Sequence, residues 1–263
     1  MGELYLVGGG LSDVRDLTLR ALEVLANVEL VLVDTYTSVY DVSEGDLKRL
    51  LKEFGGDPEI RMCSRRDLEE RFFDLCDGYD RVALLSPGDP MAATTHVALV
   101  VEAADHGWDV EIINGVSVFT AAPSKSGLEM YRFGRTATIP LKVRSVYPYD
   151  VLESNRRAGL HTLFLLEVAE DGEFVSVADA ARYLLEIERE EGRGVLDPSD
   201  LAIAVVRLGF EDELVARGTL EELSDWEPNE PPQALILPAS RLRETEHEYI
   251  SRVLPHIRDV RGV

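Results

Sequence analysis

Residues 81–113 read RVALLSPGDPMAATTHVALVVEAADHGWDVEII, and this stretch alternates between two kinds of pattern. Residues 81–85 form a short apolar run, which is typical of a buried strand, and they lead into the turn SPGDP at 86–90. Residues 94–106 have the length and spacing of a helix, and residues 109–113 are strand-like again. Because consecutive parallel strands need a crossover, usually a helix, this order predicts a parallel sheet covered by helices.

The same alternation runs through the rest of the N-terminal half. Three more strands are predicted from short apolar runs at 4–7, 30–33 and 60–63. Helix patterns separate the strands, and they lie at 16–28, 45–54 and 67–76. Five strands with four intervening helices make a complete α/β unit. We therefore assign residues 1–115 to an N-terminal α/β domain with a mainly parallel sheet.

The C-terminal half, residues 116–263, has a second set of strand patterns and is assigned to a C-terminal α/β domain. These patterns lie at 160–168, 201–207, 213–216 and 234–237. The second and third of them flank Gly209 closely, as the strands of a hairpin do, so we predict a mixed sheet. The helices predicted in this half lie at 118–126, 177–190 and 242–253.

The chain carries 49 Asp and Glu residues but only 27 Lys and Arg, a net charge of −22. Such a surface repels phosphate backbones, which argues against nucleic-acid binding. The acidic residues are spread along the whole chain. This distribution favours adaptation to the high-salt cytoplasm of a halophilic archaeon, where screening shortens the range of self-repulsion. The alternative is that the acidic surface attracts a basic partner.

Neither a membrane segment nor a metal site is predicted. The longest apolar runs are strand-sized, well short of the roughly 18–20 residues that cross a bilayer. The first residues, MGELYLVGGG, lack the basic and apolar regions of a signal peptide, so we expect a cytoplasmic protein. The two cysteines, Cys63 and Cys76, have no His or Cys cluster beside them, which disfavours a disulfide or a zinc site.

Three turns follow predicted strands at their carboxyl ends, where open α/β sheets bind ligands. They are GGGLSD at 8–13, SPGDP at 86–90 and NGVSV at 114–118. The first is no Rossmann fingerprint, because Asp13 stands where the third glycine belongs, and no P-loop, because no Gly-Lys-Ser or Gly-Lys-Thr follows. In the second turn Asp89 is either a ligand-binding carboxylate or an acid at the N-terminus of the following helix.

Five segments carry a resemblance to a known family. They read LYLVGGGLSDVRDLTLRALE at 4–23, DTYTS at 34–38, LLSPGDPMAATTH at 84–96, YRFGRTATI at 131–139 and GLHTLFLLEV at 159–168. Together they resemble the class III S-adenosylmethionine-dependent methyltransferases, the superfamily of tetrapyrrole methylases and diphthine synthases. The PGDPMAATTH, TYTS and GLHTL stretches make the resemblance closest to the diphthine synthases. It implies two α/β domains with the cofactor in the cleft between them.

By this resemblance the cofactor is S-adenosylmethionine, and eight positions are expected to bind it. These positions are Leu11, Asp89, Ala92, Ser117, Val118, Leu166, Leu208 and Gln233. No metal and no second cofactor is implied. At two positions the sequence departs from the family pattern. Gln233 stands where the family commonly has histidine, and Gly9 stands where leucine is expected, which predicts a looser turn.

The resemblance also implies the reaction, which is repeated N-methylation of the aminocarboxypropyl group on a histidine of elongation factor 2, in diphthamide biosynthesis. The accepting amine must first lose a proton. The nominal bases are His96, His161 and Asp89, and for each the alternative is a structural role. Residues 36–38 are candidates to line the acceptor cleft. The family further implies a homodimer, with residues 128–139 as the predicted contact.

Three other functions stay open at this point. A tetrapyrrole methylase of the same fold would act on a free macrocycle instead of a protein. An NAD-dependent oxidoreductase would use Gly8 and Gly10 after the first strand and Asp34 on the ribose, although the third glycine is missing. A binding module without catalysis has the same sequence features. The number of methyl groups and the docking surface for elongation factor 2 do not follow from the sequence.

Overall fold

The N-terminal sheet contains five parallel strands, as predicted. The computed structural model describes residues 2–226, 228 and 230–260. The strands are β1 (Glu3–Gly8), β2 (Leu30–Asp34), β3 (Glu59–Cys63), β4 (Arg81–Ser86) and β5 (Asp109–Ile113). Their order across the sheet is β3-β2-β4-β1-β5, and each neighbouring pair is parallel. All five strands therefore end at the same edge.

Both faces of the sheet are buried at its three central strands, β1, β2 and β4. On β2, Val31 and Val33 belong to one hydrophobic cluster, while Leu30 and Leu32 belong to the cluster on the other face. Since the central strands are covered on both sides, their sequences are largely continuous apolar runs, whereas the edge strands β3 and β5 also contain charged residues. Each fully buried side chain of this kind contributes about 1.5–3 kcal/mol to folding.

Five helices belong to the same part of the chain. They are α1 (Leu19–Asn27), α2 (Glu44–Glu53), α3 (Arg65–Glu70), α4 (Phe72–Cys76) and α5 (His96–Asp105). A Ser or Thr side chain caps the first three by accepting a hydrogen bond from a backbone N–H three residues on. The prediction of one helix over 67–76 is wrong, because Arg71 leaves the helical conformation at φ −135°. Phe73 of α4 stacks on His106 with the ring centroids 4.2 Å apart, a contact that no local pattern predicts.

The C-terminal sheet is mixed, as predicted. Its strands are β6 (Ala137–Ile139), β7 (Thr162–Leu166), β8 (Leu201–Val206), β9 (Leu214–Thr219) and β10 (Gln233–Leu237). Their order is β6-β7-β10-β8-β9. The β6–β7 pair is parallel, and the remaining pairs are antiparallel. The predicted hairpin is confirmed as β8 and β9 on either side of Gly209. The sequence pattern missed β6, which has only three residues.

The helices of the C-terminal half complete the fold. They are α6 (Val118–Ser126), α7 (Tyr147–Arg157), α8 (Val177–Glu191), α9 (Leu220–Ser224) and α10 (Glu244–Arg252). The patterns missed α9, which is short, and α7, whose few buried apolar residues, such as Tyr149, Val151 and Leu152, lie among polar residues. The other three match predicted helices. Within the part of the chain that the structure describes, no helix is both long and apolar enough to cross a membrane.

The chain divides into two compact units, Met1–Val118 and Phe119–Val263. Each unit contains one of the two sheets. The assignment of residues 1–115 and 116–263 to separate domains stays a prediction, because a division by contacts does not measure independent folding.

Candidate functional site

Two of the three predicted turns are hydrogen-bonded to each other at the carboxyl edge of the first sheet. The turn after β1 donates from Gly9 N to Ser86 O at 2.7 Å and from Gly10 N to Gly88 O at 3.1 Å. The turn after β4 donates back from Gly88 N to Gly10 O at 2.6 Å. The two turns therefore have one fixed arrangement.

The third turn joins them through a cluster of three glycines, Gly8, Gly88 and Gly115, which we call the glycine cluster. A Cβ atom on Gly115 would lie 2.3 Å from Gly88 O and 2.8 Å from Gly8 Cα. A Cβ atom on Gly8 would lie 2.5 Å from Gly115 N. Only glycine permits backbones to approach this closely, so these glycines are required by packing as well as by conformation.

Asp89 ties the second turn to the third. Its Oδ1 atom accepts from Met91 N at 3.0 Å, and its Oδ2 atom accepts from the side chain of Asn114 at 2.9 Å and from Gly115 N at 3.2 Å. Since α5 begins only at His96, the alternative of a helix N-terminal acid is wrong. Asp89 is a half-buried carboxylate that bridges two strand-end turns.

The turn after β1 is braced by two side chains that sequence reasoning missed. Tyr40 donates to Gly9 O at 2.8 Å, and a Cβ atom on Gly9 would lie 2.5 Å from the Tyr40 hydroxyl. Asp16 accepts from Leu11 N at 2.9 Å and from Ser12 N at 2.8 Å. Burial, followed by the nearby charge of Asp16, raises the pKa of Tyr40, which therefore stays a hydrogen-bond donor. The turn is not loose, because Tyr40 occupies the space that a leucine at position 9 would need.

Asp34, the acid on which the oxidoreductase hypothesis depends, is fully buried at the end of β2. One carboxylate oxygen accepts from Tyr36 N at 2.9 Å and Thr37 N at 3.0 Å. The other accepts from the Thr37 hydroxyl at 2.5 Å. Because these contacts occupy the carboxylate and no part of it is exposed, Asp34 fixes the turn at 36–38 and is not placed to hold a ribose.

The two histidine candidates for the base differ in their surroundings. His96 donates from Nδ1 to Pro90 O at 2.7 Å and is only 7% exposed. Its Nε2 atom has no hydrogen-bond partner among the described residues. His161 is fully buried, accepts at Nδ1 from Ala239 N at 2.9 Å and donates from Nε2 to Glu246 at 3.0 Å. Burial lowers the pKa of His161, and both of its nitrogens are engaged, so it cannot reach a substrate amine.

The remaining cofactor candidates of the first unit lie at the same turns. Leu11 follows the glycine turn, and Ala92 N donates to Asp89 O at 3.1 Å. Ser117 is buried directly before α6, which begins at Val118. The structure thus brings the candidates of this unit to one edge of one sheet.

The candidates of the second unit lie at strand ends of the mixed sheet. Leu166 ends β7, and the buried Leu208 follows β8. The amide of Gln233 accepts from Val177 N at 2.8 Å and donates to Pro228 O and Glu230 O at 3.0 Å each. These bonds join the start of α8 to the segment before β10. The Gln233 side chain therefore has a structural role. Any ligand contact at this position would have to be made by the backbone.

Comparison with known proteins agrees with this geometry. Residues 3–224 match the family model described as Tetrapyrrole (Corrin/Porphyrin) Methylases. A diphthine synthase of Methanopyrus kandleri is 95% identical over 263 residues, which is 100% of each chain. A diphthine methyl ester synthase of Emericella nidulans is 35% identical and covers 95% of this chain and 93% of its own length. A crystal structure of diphthine synthase has a TM-score of 0.84 at 30% identity and covers 96% of each chain.

The chain therefore belongs to the tetrapyrrole methylase family and, within it, to the diphthine synthases.

Proposed function

We propose that this S-adenosylmethionine-dependent methyltransferase methylates the aminocarboxypropyl group on a histidine of elongation factor 2, a step of diphthamide biosynthesis. The observation that carries the proposal is the full-length identity of 95% with a diphthine synthase. The convergence of the three strand-end turns supports it. We also propose that the enzyme works in the cytoplasm, where elongation factor 2 acts. The halophilic interpretation of its acidic composition stays a prediction.

The cofactor positions are part of the same proposal. In the first unit they are Leu11, Asp89, Ala92, Ser117 and Val118, and in the second Leu166, Leu208 and Gln233. The turns fit S-adenosylmethionine because glycines leave no side chain between the backbone and a ligand that approaches it closely. The negative charge of Asp89 suits a cationic sulfonium compound. The cofactor supplies an electrophilic methyl group, and the protein supplies its orientation toward the acceptor.

The acceptor must present an unprotonated nucleophile to the methyl group. Of the nominal bases, His161 is buried and fully hydrogen-bonded, and both carboxylate oxygens of Asp89 accept from N–H donors. His96 keeps its Nε2 atom without a partner among the described residues. Because His96 lines a cavity whose lining includes none of the three clustered glycines, the geometry assigns the proton to none of the three nominal bases.

The name of one relative favours a second acceptor atom. The Emericella nidulans protein is called a diphthine methyl ester synthase, and an ester forms on a carboxylate oxygen. Our proposal for this chain is repeated methylation of the amino nitrogen. Mild alkaline hydrolysis of the product separates the two chemistries, because a methyl ester is cleaved by base and an N-methyl group is not.

The assay that tests the function incubates the chain with labelled S-adenosylmethionine and either unmethylated elongation factor 2 or a precorrin. We expect label on the modified histidine of the factor. Label on the macrocycle and none on the factor would overturn the proposal in favour of a tetrapyrrole methylase. Tight binding of NAD without binding of S-adenosylhomocysteine would contradict the methyltransferase assignment altogether.

Asp89→Asn is expected to weaken S-adenosylhomocysteine binding about tenfold, because a hydrogen bond to a charged group contributes about 1.5–3 kcal/mol. All three groups that face Asp89 are N–H donors. An amide therefore places its own NH₂ group against a donor in either orientation. The measurement is calorimetric titration, with the exposed Asp109→Asn on β5 as the control. Equal affinity of the Asp89 variant and the wild type would show that this bridge does not shape the cofactor site.

We propose that the enzyme is a homodimer that uses residues 128–139. Support comes from a short 3₁₀ helix, Met130–Arg132, in which Tyr131 is 94% exposed and Met130 is 48% exposed. Such exposed apolar groups are typical of protein contacts. Tyr131→Asp is expected to shift sedimentation toward the monomer, whereas Val143→Asp, at another exposed apolar residue, leaves it unchanged. A wild-type monomer at micromolar concentration in high salt would contradict the proposal.

A further inference from the structure

The first unit contains a cavity of about 440 Å³, away from the glycine cluster, between α3, α4 and α5 and over Leu84 of β4. This volume lies within the range of about 300–1,000 Å³ that is usual for ligand sites. Aliphatic, aromatic and acidic residues line the cavity. Its lining includes Tyr36, Glu69, Asp74, His96, Glu102 and His106.

The acidic groups of the lining are only partly neutralised. Four of its residues are carboxylates and one, Arg71, is a guanidinium. Glu70 pairs with Arg66 at 3.2 Å. Asp74 and Glu102 have no ion-pair partner among the residues that the structure describes. A cation in this cavity would therefore find two carboxylates that no other group engages.

Aromatic rings supply the flat surfaces of the cavity. Phe73 and His106 stack in parallel, with an interplanar angle of 9°. The ring of Tyr36 already has the guanidinium of Arg65 at 5.0 Å from its centroid. Planar guanidinium groups are attracted to such rings, and the attraction grows when water is excluded.

His96 is an independent sign of a ligand. More than nine-tenths of this residue is buried, and it lines the cavity. Because its Nδ1 atom donates to Pro90 O, its Nε2 atom carries a lone pair. That atom has no partner among the described residues, so its lone pair is open to a donor that enters the cavity. An N–H group of a bound cation would complete its hydrogen bonding.

We propose that this cavity, which we call the cation pocket, binds an arginine or lysine side chain of the protein substrate, next to the residue that is methylated. The proposal rests on the proposed function for the identity of that protein. The pocket adjoins the strand-end edge, because Tyr36 follows Asp34 and His96 is bonded to Pro90, the neighbour of Asp89. A loop presented at that edge has its flanking side chains within reach of the pocket.

The first test titrates the complete wild-type chain with N-acetyl-L-arginine amide and follows the methyl NMR signals of Leu68 and Leu99, which line the cavity. We expect these signals to shift. The double variant Asp74→Asn with Glu102→Gln is expected to bind about tenfold more weakly, as for the loss of hydrogen bonds to charged groups. No shift in the wild type, or equal affinity in the double variant, would overturn the proposal.

A matched control separates the pocket from the overall charge. Asp77→Asn with Asp105→Asn changes the net charge equally, and both residues are exposed and lie outside the lining. This control is expected to bind the amide with an affinity within about twofold of the wild type. If the control loses as much affinity for the amide as the pocket variant does, only the net negative charge of the protein attracts the probe. That result would overturn the proposed site.

The second test uses elongation factor 2 as the substrate. In the pocket variant KM for the factor is expected to rise about tenfold with kcat unchanged, because uniform binding is lost. An unchanged KM, together with tighter binding of spermidine than of the arginine amide, would overturn the proposal in favour of a small polycation. If the wild type does not methylate the factor, the proposed function fails, while the amide titration still decides the pocket.

Discussion

Gly115→Ala is expected to weaken S-adenosylhomocysteine binding by about tenfold or more, because it disturbs the hydrogen bond from Gly115 N to Asp89, and a bond to a charged group contributes about 1.5–3 kcal/mol. The added methyl group would lie 2.3 Å from Gly88 O and 2.8 Å from Gly8 Cα. These are backbone atoms, so they cannot turn aside as a flexible side chain can. At least one of the three strand-end turns must move. Overpacking of this kind also lowers the free energy of unfolding by about 1–3 kcal/mol.

The control for this prediction is Gly107→Ala, in the turn between α5 and β5. Gly107 has φ 76°, and a Cβ atom there would meet nothing within 4 Å. Alanine at this position is destabilised only by the left-handed backbone conformation, which lowers the free energy of unfolding by about 1–2 kcal/mol. Calorimetry is expected to find wild-type affinity in this variant. If Gly115→Ala binds the ligand as tightly as Gly107→Ala does, the glycine cluster is not part of the cofactor site.

Glu246→Gln is expected to lower the free energy of unfolding by about 3–5 kcal/mol, the usual cost of breaking a buried ion pair from one side. Glu246 is 1% exposed. It accepts from Glu129 N at 3.1 Å, from His161 Nε2 at 3.0 Å, from Arg243 N at 2.8 Å and from the guanidinium of Arg132. A neutral amide leaves the largely buried Arg132 charge uncompensated and directs an NH₂ group at another donor.

The same network predicts how stability depends on pH. Burial alone would raise the pKa of Glu246, but its hydrogen bonds outweigh burial and the pKa lies below its usual value. Burial also lowers the pKa of His161. In both cases the unfolded chain takes up a proton at a higher pH than the folded chain. The stability that each group contributes is therefore present above its ordinary pKa and is lost as the pH falls toward the lowered one.

Urea unfolding between about pH 7 and pH 4 measures both effects. The wild type is expected to lose stability as the pH falls, first through His161, whose ordinary pKa is 6.5, and then through Glu246, whose ordinary pKa is 4.5. The Glu246→Gln variant is expected to show only the loss of stability through His161, because it has no carboxylate at position 246. Glu244→Gln, at an exposed position of the same helix, is the control and is expected to behave as the wild type does. A pH profile of Glu246→Gln that parallels the wild type would contradict this account.

The parallel sheet and its three strand-end turns followed from the sequence because their signals are local. Apolar runs of strand length, such as that of β4, alternate with helix spacing over a few residues at a time. Once the strands are parallel, their carboxyl ends must share an edge. Asp89 was therefore recognisable as a candidate before its partners were known, although its bridge to Asn114 was not.

The tertiary structure alone decided which polar groups are free to act, because the partners of a buried group come from distant parts of the chain. His161 meets Glu246 across 85 positions, and Tyr40 meets Gly9 across 31. No pattern of a few residues encodes such pairs. The sequence thus determined the sheet, the turns and the family. Folding decided that Asp34 and His161 are structural, and that His96, which lines a cavity, has a partner for only one ring nitrogen among the described residues.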